Sequence, residues 1–141
     1  MEKKNIDWSS IGFAYMPTDY RYVSNFKDGK WDEGALSTDP NIVLNECAGV
    51  LQYSQSVFEG LKAYTTEDGH IVTFRPDLNA ERIAASAARL EMPVFPKERF
   101  IDAVEQVVKA NAAWVPPYGS GATLYLRPYM FGSNAATFST P

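Results

Sequence analysis

The stretch Leu61-Lys62-Ala63-Tyr64-Thr65-Thr66-Glu67-Asp68-Gly69-His70-Ile71-Val72-Thr73-Phe74-Arg75-Pro76 decides the fold class. Apolar and β-branched residues flank Glu67-Asp68-Gly69, which predicts a hairpin of Leu61–Thr65 against Ile71–Phe74. Asp-Gly is expected to supply the positive-φ positions of its turn. At Pro76 the period changes. A proline suits the first turn of a helix, where its missing N–H costs nothing. The alanine-rich residues behind it predict a helix ending near Met92-Pro93. Leu78, Arg82, Ala85 and Arg89 fall on one side of that helix, and Ile83, Ala87 and Leu90 on another.

Downstream, Phe100, Val104, Val107, Val108 and Ala112 keep helical spacing between Lys97 and Ala113, predicting a second helix with one buried stripe. Pro116-Pro117-Tyr118-Gly119 breaks the chain. Thr123–Phe131 then reads as one strand, with Leu124, Leu126, Pro128 and Met130 facing one way and Tyr125, Arg127, Tyr129 and Phe131 the other. Upstream, Tyr20–Lys27 is aromatic and β-branched, and Phe26-Lys27-Asp28-Gly29-Lys30-Trp31 predicts a hairpin with a primed turn. Two hairpins, two adjacent helices and a final strand predict an α+β domain, its sheet mainly antiparallel and its helices packed on one face. The strand–helix–strand rhythm of a dinucleotide-binding fold is absent, as is a glycine-rich phosphate loop.

A length of 141 residues fits one domain. Against 13 Lys+Arg stand 17 Asp+Glu, a formal charge of −4, so there is no cationic surplus to meet nucleic acid or an anionic membrane. Aromatics make up 13%, with 8 Tyr and 8 Phe, which points to a ligand cleft or an interface. A single cysteine, Cys47, excludes an internal disulfide framework and reads as a small buried residue in a reducing compartment. With a single histidine, His70, zinc ligation would need carboxylates, nothing clusters around His70 and Cys47, and no Ser–His–Asp or Cys–His set can be assembled, so no metal site is expected. The N-terminal Met1-Glu2-Lys3-Lys4-Asn5-Ile6-Asp7-Trp8 has no apolar signal core. No apolar run approaches the ~20 residues that span a bilayer. A cytoplasmic protein is the expectation. The last residues, Ser139-Thr140-Pro141, are loop-like and suggest that this is part of something longer.

Few side chains invite chemistry. Arg127 between Tyr125 and Tyr129 could hold a carboxylate, since a guanidinium supplies charge and a fork and phenols add directed hydrogen bonds. By spacing alone, an edge arginine stacked on aromatics is the simpler account. Arg82 lies in the first turns of its helix, where anions are favoured. A helix arginine paired with Glu81 or Asp77 explains it as well. Lys62 has the apolar neighbours of a Schiff-base lysine, yet a strand lysine is ordinarily solvent-facing. Phe13, Tyr53 and Phe58 could line a pocket, and for Phe58 within Val57-Phe58 a core position is the default.

Tyr53-Ser54-Gln55-Ser56-Val57-Phe58-Glu59-Gly60-Leu61-Lys62-Ala63-Tyr64 resembles a signature segment of the branched-chain amino acid aminotransferases, fold-type IV pyridoxal-phosphate enzymes. Phe74-Arg75-Pro76-Asp77-Leu78-Asn79-Ala80-Glu81-Arg82 is similar to the family's next block. Trp114-Val115-Pro116-Pro117-Tyr118-Gly119 with Leu124-Tyr125-Leu126-Arg127-Pro128 is similar to the third. The blocks keep the family's order and spacing from about Trp8 to Gly132.

The resemblance implies a small N-terminal domain, residues 1–132, with an interdomain linker starting at 133–141 and a catalytic large domain beyond. It puts the Schiff-base lysine in that large domain, so no catalytic residue is expected in this chain and Lys62 is not its counterpart. The isolated 141 residues are then expected to be inactive and to bind pyridoxal phosphate weakly or not at all. Arg82 matches the arginine that contacts the cofactor phosphate. Phe13, Phe58 and Tyr125 match walls of the branched side-chain pocket, and Tyr53 and Arg127 match its distal end. Implied substrates are leucine, isoleucine, valine, glutamate and their 2-oxo acids. A homodimer is implied too, with Tyr53 or the loop after Gly132 reaching the neighbouring subunit's site. A D-amino acid aminotransferase or aminodeoxychorismate lyase keeps the fold and changes the substrate. A non-catalytic binding or dimerisation module is the alternative of another class.

Overall fold

A computed structural model describes residues 1–135. Most of the expected linker, including Ser139-Thr140-Pro141, lies outside the described residues. In chain order, a 3-10 turn at Trp8–Ser10 leads to β1 (Arg21–Val23), β2 (Phe26–Lys27), β3 (Lys30–Trp31) and β4 (Ala35–Ser37). Then come α1 (Gly49–Tyr53), β5 (Ser56–Phe58), β6 (Leu61–Thr65) and β7 (Ile71–Thr73). The helices α2 (Pro76–Arg89) and α3 (Lys97–Ala110), a 3-10 turn at Ala112–Trp114, β8 (Leu124–Leu126) and β9 (Tyr129–Phe131) complete the described chain. Among the described residues every strand pair is antiparallel, as expected for this α+β domain.

The expected Phe26–Trp31 hairpin forms, and Asp28 and Gly29 take φ values of 52° and 79°, the left-handed pair of a primed turn. Its ring pair, Phe26 and Trp31, meets edge-on at 5.3 Å, and Trp31 meets Phe95 at 5.0 Å. The Tyr20–Lys27 segment, however, is not one strand. It breaks at Ser24-Asn25, where Asp32 Oδ1 accepts from Ser24 Oγ (2.8 Å), Asn25 N (3.1 Å) and Gly34 N (3.0 Å). This lets β1 pair with β4 around the inner hairpin. The β6–β7 hairpin also forms, but of its turn residues only Gly69 is left-handed, at φ 87°. Gly69 N donates to Thr66 O at 2.9 Å, so the turn spans Thr66–Gly69 and Asp68 supplies no positive φ.

Pro76 is the first residue of α2, as its ring predicts, and Arg75 before it is left-handed at φ 47°. The helix stops at Arg89, short of Met92-Pro93. Glu91 turns left-handed (φ 56°), while Met92 N donates to Ala87 O at 2.9 Å and Glu91 N to Ala88 O at 3.1 Å. That pattern is a Schellman stop, and glycine is the residue it favours. Replacing Glu91 with glycine is expected to stabilise the chain by about 0.5–1 kcal/mol, read as a rise in urea midpoint. A fall would show that the Glu91 side chain contributes more than its backbone strain costs.

Val57, Leu61, Ala63 and Leu126 turn inward from the strands and meet Ala80, Ile83 and Ala87 of α2 and Phe100, Val104 and Val108 of α3. The helices thus cover one face of the sheet, and Val107 of the expected stripe is half-buried. Asn111, 2% exposed, fastens the N-terminal segment to the end of α3. Its Oδ1 accepts from Asp19 N and Tyr20 N at 3.0 Å each, and its Nδ2 donates to Tyr20 O and Val107 O at 2.9 Å each. Cys47 is exposed rather than buried, because the loop before α1 lies at the surface.

The expected strand Thr123–Phe131 is bent into β8 and β9, which pair with β6 and β5. The register nevertheless runs on across the bend: Phe58 faces Tyr129, and Leu61 faces Leu126. Glu59 comes opposite Pro128, donating its N–H to Pro128 O at 2.8 Å, and proline has no N–H to return the bond. The alternation therefore survives the bend, with Leu126 inside and Tyr125, Arg127 and Tyr129 outside.

Candidate substrate and phosphate face

The outer face of the bent strand pair carries three of the sequence-nominated residues in contact. Arg127 lies with its guanidinium carbon 4.4 Å from the Phe58 ring centroid and 5.3 Å from that of Tyr125. Its Nε donates to the Tyr125 hydroxyl at 3.2 Å. Phe58 is 62% exposed, so the core position expected for it is wrong: in β5 it is Val57 that points inward, and strand alternation turns Phe58 out. This puts a cation, a phenol and an apolar ring on one surface, an arrangement that can take an alkyl chain along the rings and a carboxylate at the head.

Gly60 makes that surface possible. A Cβ there would collide with the Tyr125 hydroxyl, and it would sit 3.1 Å from the ring carbon that bears it. Replacing Gly60 with alanine is expected to cost about 1.5 kcal/mol by overpacking. The same change made beside Tyr125→Phe should cost less than half as much, measured by urea unfolding of the double-mutant cycle. Equal costs in both backgrounds would mean that Tyr125 does not rest on Gly60.

Gly60, Leu61, Lys62, Tyr64, Phe74, Asn79 and Tyr125 line a cleft of ≈ 340 Å³. Lys62 is exposed, as a strand lysine facing solvent should be. Tyr53, at the end of α1, lines with Tyr125 and Arg127 a larger open concavity of ≈ 1970 Å³. Phe13, in the loop before β1, is fully exposed and is not brought to the cluster among the described residues.

Arg82 is on α2, with its side chain 68% exposed, and its partner is neither Glu81 nor Asp77. Those two carboxylates are taken by Lys97 (2.7 Å) and Arg75 (2.7 Å). Arg82 instead donates from Nε to Glu59 Oε1 at 2.6 Å and from Nη2 to Glu59 Oε2 at 2.7 Å. Glu59 is 2% exposed at its side chain. Asn79 Nδ2 (2.9 Å) and Gly60 N (3.4 Å) also donate to its Oε2. The Arg82 hydrogen bonds outweigh burial and hold the Glu59 carboxyl below the usual range, with Asn79 adding to the effect.

Lowering of this kind stabilises the fold above the unfolded carboxyl pKa and is lost as pH falls through the folded value. Wild-type chain is therefore expected to lose urea stability below about pH 4.3 more steeply than Glu59→Gln. Parallel acid limbs would remove Glu59 from that account.

Sequence reasoning passed over Glu59, Asn79 and Gly60. A signal was there: Val57, Glu59, Leu61 and Ala63 share the inward parity of the strand, so an acid at 59 needs a buried partner. Asn79 precedes Arg82 by one helical turn, on the same side of α2.

The chain is 54% identical over 129 residues to a branched-chain-amino-acid aminotransferase of Haemophilus influenzae, covering 92% of this chain and 38% of that protein. By sequence the chain is similar to the branched-chain aminotransferases. It corresponds to their N-terminal portion and spans only 38% of the length of this relative. An aminotransferase of the same name from Helicobacter pylori is 45% identical over 129 residues, with the same coverage. A methionine aminotransferase of Arabidopsis thaliana is 46% identical over 138 residues, covering 97% of this chain and 39% of its own length. No family model matches the chain.

Among solved structures, the Escherichia coli branched-chain amino acid aminotransferase superposes with a TM-score of 0.63 at 20% identity, over 89% of this chain and 36% of that one, which establishes the fold. A second branched-chain amino acid aminotransferase, solved in complex with N-(5'-phosphopyridoxyl)-L-glutamate, gives 0.63 at 26% identity over 84% and 35%. The fold expected from the family is therefore the fold observed.

Proposed function

We propose that this chain is the substrate-recognition domain, residues 1–132, of a branched-chain amino acid aminotransferase. The whole enzyme would move the amino group of leucine, isoleucine or valine to 2-oxoglutarate, using pyridoxal phosphate. The observation that carries this reading is the contact of Arg127 with both Phe58 and Tyr125 on one exposed sheet face. Such an enzyme must accept alkyl side chains and the γ-carboxylate of glutamate in one pocket. The rings of Phe58 and Tyr125 form the alkyl wall, while Arg127 with the Tyr125 hydroxyl offers the carboxylate a charged donor pair. Tyr53 extends that distal end, and Phe13 is the member that must approach from its exposed loop.

The donor chemistry also fits the cofactor. Among the described residues Arg82 Nη1 makes no hydrogen bond, so the outer edge of the guanidinium is available to a phosphate dianion. When bound, pyridoxal phosphate supplies the amino-group acceptor and the electron sink. Arg82 holds the phosphate end, and the sheet face orients the substrate side chain. The catalytic lysine belongs to a large domain that follows the linker at 133–141, so this chain alone is inactive and holds the cofactor weakly. A cytoplasmic homodimer, in which Tyr53 or the loop after Gly132 serves the neighbouring site, completes the reading. The charge of −4 supports a partner list without nucleic acid or an anionic membrane.

A half-reaction assay of the full-length enzyme, followed by cofactor absorbance, tests this with leucine, methionine and D-alanine. Leucine is expected to give the highest kcat/KM. Preference for D-alanine would favour the D-amino acid alternative, and no turnover of any amino acid would favour a binding module.

A further inference from the structure

We propose that Glu59 is a positioning residue that presets Arg82 for the phosphate of the cofactor, an inference that rests on the reading above. Among the described residues four other Lys or Arg pairs with carboxylates occur, and every partner in them is more than a quarter exposed. Glu59–Arg82 alone joins a carboxylate at 2% exposure to a cation at 68%. A pair whose cation is this exposed is a weak device for stability, since solvent screens it. What it supplies is direction. The two short bonds engage the inner edge of the planar guanidinium, from Nε and Nη2, and thereby fix the plane and the outward heading of Nη1.

The carboxylate is itself immobilised. Asn79 Nδ2 bonds both Glu59 Oε2 (2.9 Å) and Gly60 O (3.2 Å), and Gly60 N approaches Oε2 at 3.4 Å. Glu59 N is tied to Pro128 O at 2.8 Å. The residue thus cannot swing outward to compete with an incoming phosphate, and its charge is already met by Arg82. Asn79 and Gly60 also line the ≈ 340 Å³ cleft with Tyr125, so the anchor of the phosphate edge and the substrate wall share one support. Outer partners that orient metal-ligating side chains are worth on the order of 10-fold or more in affinity, and the same logic applies to an oriented guanidinium.

The test is titration of the full-length apoenzyme with pyridoxal phosphate and with pyridoxal, which lacks the phosphate. Glu59→Gln is expected to weaken pyridoxal phosphate about 10-fold and leave pyridoxal within about 2-fold, so the preference between them falls. In an Arg82→Ala background the same change should do nothing further. A Glu59→Gln enzyme with unchanged preference, or with equal losses for both ligands, overturns the proposal while leaving Arg82 as the phosphate residue. A wild-type enzyme without preference for the phosphorylated form overturns the Arg82 reading and this proposal together. Should Glu59→Gln fail to fold, Asn79→Ala carries the test. It is expected to lower the preference about 3-fold, and an unchanged preference there overturns the proposal.

Discussion

Replacing Asn111 with alanine lowers the unfolding free energy of the chain by about 3 kcal/mol. The side chain satisfies four backbone groups at 2.9–3.0 Å from a position 2% exposed. Intramolecular hydrogen bonds contribute about 1 kcal/mol each. Asp19 and Tyr20 lie at the surface, so water would recover part of what their amides lose. The carbonyl of Val107 already accepts from Asn111 N at 3.0 Å and loses only its second partner. Asn111→Asp keeps the acceptor for Asp19 and Tyr20 but not the donor to Tyr20 O and Val107 O, and introduces a buried charge, so it should be no milder. Urea unfolding followed by far-UV circular dichroism measures both. A loss under about 1 kcal/mol for alanine would mean that the N-terminal segment adds little to the cooperative unit.

On the function proposed above, replacing Arg127 with leucine separates the two substrate classes. In the full-length enzyme, kcat/KM for glutamate is expected to fall about 30-fold, the equivalent of about 2 kcal/mol for one charge-assisted contact. For leucine the change should stay within about 3-fold, because the exposed rings of Phe58 and Tyr125 remain. The Arg127 guanidinium stands over both rings, so the replacement also exposes them, and a small gain for leucine is compatible with that geometry. Equal losses for both substrates would show that Arg127 supports the fold of the face rather than selecting a carboxylate.

Local signals were legible in the sequence. Asp28-Gly29 announced its turn, Pro76 its helix, and the spacing of Phe100, Val104 and Val108 the buried side of α3. Three features were not. The β1–β4 pair is three residues long on each side, closes around another hairpin, and has no alternation to announce it. The five residues of α1 carry no side-chain cap. The bend at Pro128 is hidden because alternation continues through it. For the site, Arg127 and Tyr125 were nominated from one strand face and do touch, whereas Phe58 was misjudged by hydrophobicity alone. Arg82 was visible, but its partner was sought along the helix. Glu59 is 23 residues away in sequence, and only sheet parity could have indicated it.

The continuity of register across the bend has a consequence for how such a face can change. Since Phe58, Tyr125 and Arg127 owe their outward aim to parity, a single-residue insertion or deletion between Ser56 and Leu61 would present Val57 and Glu59 to solvent and drive Phe58 into the interior. Substitutions at the outward positions leave the ladder intact and alter only what it displays. Diversification of this segment should therefore proceed by exchange of residues at fixed length.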